Sequence, residues 1–241
     1  MSFAQLGRAL AARWPDHPPA ALAQGVRAYV PLVQVPPRAV WGRAGQSLHT
    51  SAEHWLGQRR PAGDPAGLAR LVTRYLGAFG PATVRDVQAW SGLTGLKAVL
   101  EQLRPSLVSF RDERGAELFD LPAAPRPGQD TPAPVRLVAE FDNLLLSHAE
   151  RSRVVSPESA RRLSAINGVI PGSVLVDGFV AGMWRLTRSR PEAAVTIETF
   201  GPVRRLDTAQ RDALTAEAER VLAFAAPGVA HDVRFAPLIG S

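Results

Sequence analysis

The residues best able to do chemistry in this sequence lie close together in one stretch. Asp142, Asn143 and His148 are followed directly by Arg151 and Arg153. A carboxylate, an amide and an imidazole beside two guanidinium groups could line a groove that moves a proton and holds an anion. The preferred alternative is structural, because Asp and Asn side chains commonly shape turns and satisfy backbone groups. Asp142 and His148 are therefore weak catalytic candidates with a structural alternative.

Other catalytic and metal chemistry is poorly represented. Ser147-His148 lacks the nucleophile elbow of a hydrolase. The spacing of His49, Glu53 and His54 does not put ligands on one helical face, and a surface pair is expected instead of a zinc site. The chain has no cysteine, which excludes disulfides and thiolate metal sites. Neither a metal nor a cofactor is expected.

The charge of the chain suits a polyanionic partner. The formal net charge is +6, the pI is about 11.0, and Lys97 is the only lysine. Arginine is permanently charged, and its planar fork of donors matches phosphate. Double-stranded DNA is therefore the expected partner. The candidate DNA contacts are Arg38, Arg43, Arg59, Arg60, Lys97, Arg104, Arg151 and Arg153.

Short helices must position several of these residues. Apolar residues from Leu68 to Phe79 recur at helical spacing, and Gly80-Pro81 ends that helix. Thr83 and Asp86 form a capping-box pair for a second helix that ends at Ser91-Gly92. A third helix is predicted to begin at Thr94 and to stop before Pro105.

Two strand candidates, Leu107–Phe110 and Glu117–Leu121, follow these helices around a charged turn. Helix, helix, tight turn, helix and hairpin is the order of a winged helix, in which the third helix would enter a DNA groove. The outward face of that helix offers Thr94, Lys97, Glu101 and Arg104. Such a face is poor at reading bases, so the expected DNA binding is independent of sequence or directed by DNA structure.

The first part of the chain is expected to repeat this plan. Helices are predicted to begin at Phe3 and near Pro18. Leu32–Val35 is a predicted strand, and Ala39–Trp41 with Leu48–Thr50 are the predicted wing strands. Core positions are expected for two tryptophans of this part, Trp41 and Trp55.

The second half of the chain changes to the periodicity of strands. A proline-rich linker ends near Pro134, and the stretch from Val135 to His148 is β-like and expected to be largely buried. Asp177-Gly178 lies between alternating segments and predicts a hairpin. A helix over Ala209–Ala225 is predicted to begin with an Asp207 or Thr208 cap. The predicted fold class is α+β: winged-helix modules at 1–63 (complete or incomplete) and 66–122, a linker at 123–134, and a barrel-like domain at 135–241.

The sequence also bears on location. It contains no apolar run long enough to span a membrane, and its N-terminus lacks the core of a signal peptide. The expectation is a cytoplasmic monomer that does not bind membranes.

Four stretches carry a family resemblance: LVQVPPRAVWG, RYLGAFGPATVRDVQAWSGLTGL, TPAPVRLVAEFDNLLLSHAERSRVV and INGVIPGSVLVDGFVAGMWRL. In these stretches the chain resembles the winged-helix superfamily of the AlkZ/YcaQ type, which includes bacterial DNA glycosylases acting on alkylated purines and interstrand crosslinks. The resemblance implies tandem winged helices followed by a β-barrel. It also implies a catalytic Gln-apolar-Gln or Gln-apolar-Asp motif in a further N-terminal winged helix.

The chain departs from that family pattern at the catalytic motif. No Gln-apolar-Gln occurs, and Gln34-Val35 is followed by Pro36. Gln34 is therefore interpreted as a strand residue that bridges backbone groups. The main hypothesis is a DNA-binding protein without glycosylase activity of its own, either a fragment, a late-start gene product or a relative that lost its chemistry. The alternatives are an active glycosylase that uses residues around Asp142 and His148, and a protein-interaction scaffold.

Overall fold

The structure is a computed structural model that describes residues 1–38, 40–41, 43–58, 64, 66–163, 170–189, 191–200 and 206–237. The chain folds as two compact units, Met1–Pro65 and Ala66–Ser241.

The first unit consists of short helices and one hairpin. Its elements are α1 (Phe3–Ala11), α2 (Pro19–Tyr29), β1 (Leu32–Val35), β2 (Leu48–Ser51) and α3 (Ala52–Leu56). The start of α1 is fixed by a capping box between Ser2 and Gln5. Gly7 allows the two first helices to pack closely, because a Cβ there would overlap the Pro19 carbonyl. The predicted starts of both helices are confirmed.

The hairpin of this unit differs from the predicted wing. β1 pairs antiparallel with β2, so that Gln34 lies opposite His49. Val40 and Trp41 lie in the connection and not in a strand, while Ala39 lies outside the described residues. The two prolines after β1 cannot donate ladder hydrogen bonds, which is consistent with a loop at this point.

The prediction that Trp41 and Trp55 occupy core positions is wrong. Trp41 is 65% exposed and Trp55 is 55% exposed. A short hairpin and a five-residue helix offer little apolar surface to cover two indole rings.

The second unit begins with three helices, α4 (Gly67–Phe79), α5 (Val84–Ser91) and α6 (Leu96–Leu103). The predicted capping box of Thr83 and Asp86 is present. The prediction that Thr94 caps α6 is wrong, because Gly95 occupies the cap position with a φ of 76°. The side chain of Gln88 instead pairs with the first backbone N–H of α6, because its Oε1 accepts a hydrogen bond from the Leu96 N–H at 3.2 Å.

A hairpin of β3 (Val108–Arg111) and β4 (Glu117–Asp120) follows, as predicted. It is tied back to the helices by an isolated antiparallel bridge between Ala82 and Phe119. The buried core shared by the helices and the hairpin consists of Val72, Tyr75, Leu76, Ala82, Val87, Leu96, Leu100 and Phe119.

A five-stranded sheet and two helices complete the unit. The elements are β5 (Arg136–Val138), α7 (Pro157–Arg162), β6 (Gly172–Val176), β7 (Phe179–Arg188), β8 (Glu192–Thr199), α8 (Thr208–Ala225) and β9 (Ala230–Pro237). The order of the strands in the sheet is β5-β6-β7-β8-β9, antiparallel except for the parallel pair β8 and β9. The predicted Asp177-Gly178 hairpin is confirmed, with positive φ at both turn residues.

The barrel prediction is not met by the strands that the structure describes. They form an open sheet with β5 and β9 at its edges. The parallel β8–β9 pair requires a crossover, and α8 provides it. This helix packs on the sheet, and its Leu214, Ala218 and Leu222 belong to the buried core of the sheet. The described strands therefore form a sheet covered by a helix and do not close into a barrel.

The expectation that residues 135–148 are mainly strand is also wrong. Only Arg136–Val138 joins the sheet. Phe141 has a φ of 55°, and a 3-10 turn follows at Asn143–Leu145. Within the described ranges, no helix is both long and apolar enough to cross a membrane.

Candidate nucleic-acid interface

The β1–β2 loop, residues 36–47, carries exposed basic residues of the first unit. Arg38 and Arg43 are both exposed. Backbone hydrogen bonds from Val40 to Pro37 and from Arg43 to Val40 organise the loop. The structure therefore presents two guanidinium groups from one hairpin connection. Arg59 and Arg60, also predicted as DNA contacts, lie outside the described residues.

Gln34 lies at the base of this loop and has a side-chain partner. Its Oε1 accepts a hydrogen bond from the Ser47 hydroxyl at 2.8 Å, and Ser47 Oγ lies 3.4 Å from His49 Nε2. Gln34 is thus a strand residue, as predicted, but it bridges to a side chain and not to the backbone. A carboxamide oxygen has two lone pairs, so the bond to Ser47 occupies only one acceptor site of the Gln34 side chain.

The outward surface of α6 carries two basic residues, Lys97 and Arg104, which differ in their contacts with carboxylates. Lys97 is exposed. Arg104, by contrast, bonds to Glu101 at 2.7 Å and to Glu117 at 2.8 Å, and its guanidinium lies 4.9 Å from the centre of the Phe119 ring. These hydrogen bonds lower the pKa of both glutamates. Arg104 therefore links α6 to the hairpin, a role that sequence spacing did not indicate.

The structure gives Asp142 and His148 backbone partners. Asp142 accepts the Leu144 N–H at 2.8 Å and so caps the 3-10 turn. His148 Nε2 lies 3.0 Å from the Phe79 carbonyl, and its Nδ1 lies 2.9 Å from Ser147 Oγ. Burial, followed by the nearby Arg153, lowers the pKa of His148. A neutral ring that donates from Nε2 and accepts at Nδ1 fits this geometry.

Arg151 and Arg153 remain at the surface beside this segment. Their Nη1 atoms donate to the Leu145 carbonyl at 3.5 Å and to the Pro81 carbonyl at 3.2 Å. A guanidinium has five N–H donors, so each side chain keeps donors for a further acceptor.

Asp86 organises the surroundings of His148, which the sequence analysis missed. Its Oδ2 accepts from the Thr83 N–H and hydroxyl, both at 2.8 Å, and its Oδ1 accepts from the Ala149 N–H at 2.9 Å. Burial opposes ionisation of Asp86, but these hydrogen bonds outweigh burial and lower its pKa. Nearby, the buried Tyr75 hydroxyl donates to the Ser147 carbonyl at 2.6 Å, and burial raises the pKa of Tyr75. The sequence indicated the capping box, but it did not indicate that Asp86 also accepts a hydrogen bond from Ala149.

No metal centre accompanies these residues in the part of the chain that the structure describes, because no group of three or more His, Cys, Asp or Glu side chains is close enough to hold an ion.

The folded chain is an α+β protein with helix-and-hairpin segments that carry exposed basic residues. The family model for DNA glycosylase AlkZ-like proteins matches residues 1–224, and the chain belongs to this family. The resemblance predicted from the quoted stretches is therefore confirmed.

Two relatives from Streptomyces sahachiroi illustrate the similarity. The interstrand DNA cross-link repair glycosylase is 29% identical over 129 residues, covering 48% of this chain and 33% of that protein. The solved DNA glycosylase AlkZ has a TM-score of 0.66 at 24% sequence identity, over 90% of this chain and 56% of that chain. The structural match is one of fold, and the chain spans only part of each relative's length.

Proposed function

We propose that this chain binds double-stranded DNA as a monomer, without reading the base sequence. The observation that carries the proposal is the family match over residues 1–224, whose description is that of a DNA glycosylase. A net charge of +6 supports it, because neutralising phosphates releases condensed counterions and drives sequence-independent binding.

Residues 66–122 are proposed to act as a winged-helix module, and residues 1–63 as a second, related module. The order α4, α5, α6, β3, β4 supports the first assignment. In that module α6 is the helix that would face DNA. Its outward Lys97 stands near Glu101, a combination suited to backbone contact and poor at reading base edges.

The proposed phosphate contacts differ in how available their charge is. Arg38, Arg43 and Lys97 come first, because they are exposed. Arg151 and Arg153 come next, since each keeps donors after its carbonyl contact. Arg104 is the weakest candidate, because two glutamates already hold its guanidinium. Arg59 and Arg60 stay in the set on charge alone.

Fluorescence anisotropy with a labelled duplex tests the proposal. The double variant Arg38→Gln/Arg43→Gln should weaken binding equally for unrelated sequences. It should reduce the slope of log K against log salt by about 0.9 per lost contact. Arg8→Gln is a matched control on α1, because Arg8 is also exposed in the same unit. Absence of binding to any duplex at low salt would refute the proposal and favour the interaction scaffold.

We further propose that these 241 residues do not excise bases by themselves. The competing candidate, an active glycosylase, is favoured by the similarity to the interstrand DNA cross-link repair glycosylase. However, water attack on the sugar needs a positioned polar pair, and Asp142 and His148 bond to backbone groups instead. In a single-turnover assay on a duplex containing 7-methylguanine, release should stay at the spontaneous rate. Faster release that is abolished by Asp142→Asn or His148→Ala would show that the active-glycosylase candidate is correct.

A further inference from the structure

A groove of about 530 Å³ runs along one face of α4 in the second unit. The residues that matter for its chemistry are Arg70, Arg74 and Ala78 on α4, with the aromatic rings of Phe79 and Trp90. Its volume lies in the range of small-ligand sites. The residues that line the groove include none of those proposed to contact the duplex.

The charge of the groove favours an anion. Arg70 and Arg74 stand one helical turn apart on α4, a helix whose sequence contains no Asp or Glu. Arg74 is exposed. The residues that line the groove include no carboxylate, so none of them offers Arg74 an acidic partner.

The floor of the groove is aromatic and firmly held. The ring centroids of Tyr75 and Trp90 are 5.2 Å apart, and those of Phe79 and Trp90 are 5.9 Å apart. Tyr75 is 1% exposed and its hydroxyl bonds to the Ser147 carbonyl, which anchors the cluster. Trp90 is only half-buried, so part of its indole faces the groove. A flat apolar group could therefore pack here without rearranging the core.

We propose that this groove binds one unstacked nucleotide of single-stranded DNA, with the base against Trp90 and Phe79 and the phosphate on Arg74. Bases stack on aromatic side chains regardless of their identity, because every base has a π-face. A guanidinium supplies a forked donor for the phosphate. A base within an intact duplex is already stacked, so this site goes beyond the proposed duplex binding and does not depend on it.

The test uses the full chain, fluorescein-labelled (dT)8 and fluorescence anisotropy, with a labelled duplex measured in parallel. Arg74→Gln should weaken (dT)8 binding about tenfold, since a hydrogen bond to a charged group is of that strength. It should also lower the salt slope by about 0.7, the value for one phosphate contact on a single strand. Ala78→Met should weaken binding by filling the groove while leaving the charge unchanged.

Arg85→Gln is the matched control, because Arg85 is exposed on α5 and does not line the groove. Thymidine monophosphate should displace (dT)8 at lower concentrations than inorganic phosphate. Equal displacement by both compounds would overturn the base contact. The whole site would be overturned if (dT)8 did not bind, or if Arg74→Gln and Ala78→Met bound it like the wild type. Loss of duplex binding with Arg74-dependent (dT)8 binding intact would refute the proposed function and leave this site standing.

Discussion

Replacement of Asp86 tests whether one carboxylate joins the helices of the second unit to the segment that carries His148. Asp86 is 2% exposed and accepts hydrogen bonds from Thr83, Ala149 and Glu150. Asp86→Ala removes the side-chain hydrogen bonds that the N3 residue of the capping box accepts from Thr83, which costs about 1 kcal/mol. It also leaves the Ala149 N–H without its acceptor, at a cost of about 1–3 kcal/mol. The Glu150 contact is long at 3.4 Å and adds little. The expected loss of unfolding free energy is roughly 2–4 kcal/mol.

Asp86→Asn should cost less than Asp86→Ala. An asparagine in the native orientation keeps its carbonyl oxygen for the Ala149 N–H. Its NH2 group then faces the Thr83 N–H, so that two donors meet and the hydrogen bond to Thr83 N–H is lost. About half of the loss is therefore expected, roughly 1–2 kcal/mol. Asp212→Ala is the matched control, because Asp212 is an exposed carboxylate on α8. Its effect should remain within about 0.5 kcal/mol.

The assay is urea unfolding followed by circular dichroism and tryptophan fluorescence, fitted with separate transitions where the two units unfold separately. Because the pKa of Asp86 is lowered in the folded state, its contribution is fully present above its unfolded pKa of about 4. That contribution disappears as the pH falls through the folded pKa, so wild type and Asp86→Ala should converge in acid. An Asp86→Ala variant as stable as wild type at pH 7 would refute the reasoning. So would a gap between the two that does not narrow in acid.

Two other substitutions test the remaining local assignments. The lowered pKa of His148 means that the unfolded chain takes up the proton first, so its stability contribution is complete above an unfolded pKa of about 6.5 and falls as pH decreases. Thermal unfolding at pH 8 and pH 5 should therefore show a smaller loss on acidification for His148→Gln than for wild type, and identical losses would contradict this. Gln34→Ala removes the bond to Ser47 and should cost no more than about 1 kcal/mol in urea unfolding. A much larger loss would mean that Gln34 stabilises the hairpin through more than its one hydrogen bond to Ser47.

The features that were predicted correctly from the sequence are those whose causes are local. Thr83 and Asp86 form the predicted capping box, and Asp207, one of the two predicted caps, caps α8. The Asp177-Gly178 pair adopts the positive φ angles that such a turn requires. In each case, residues within a few positions of each other contain all the required partners.

The errors arose where the outcome depends on distant partners. An apolar side chain does not reveal what will cover it, so Trp41 and Trp55 were predicted to be buried and are exposed. Leu144 and Leu146 belong to an apolar run that reads as a strand, yet they are 41% and 36% exposed around a 3-10 turn. Closure of the sheet likewise depends on how β8 connects to β9, and strand periodicity does not specify whether that pairing is parallel.

The candidate sites illustrate the same dependence at the level of single atoms. The spacing of Asp142 and His148 suggested a shared groove, but each side chain bonds to backbone groups that its local conformation or fold brings near. Arg104 illustrates the point for charge: it counts as a basic residue in the sequence, yet two glutamates surround its guanidinium in the fold. Arg74 differs in that its helix contains no carboxylate and the groove that it lines contains no carboxylate either. For binding DNA, the charge that remains unpaired after folding therefore matters more than the number of basic residues.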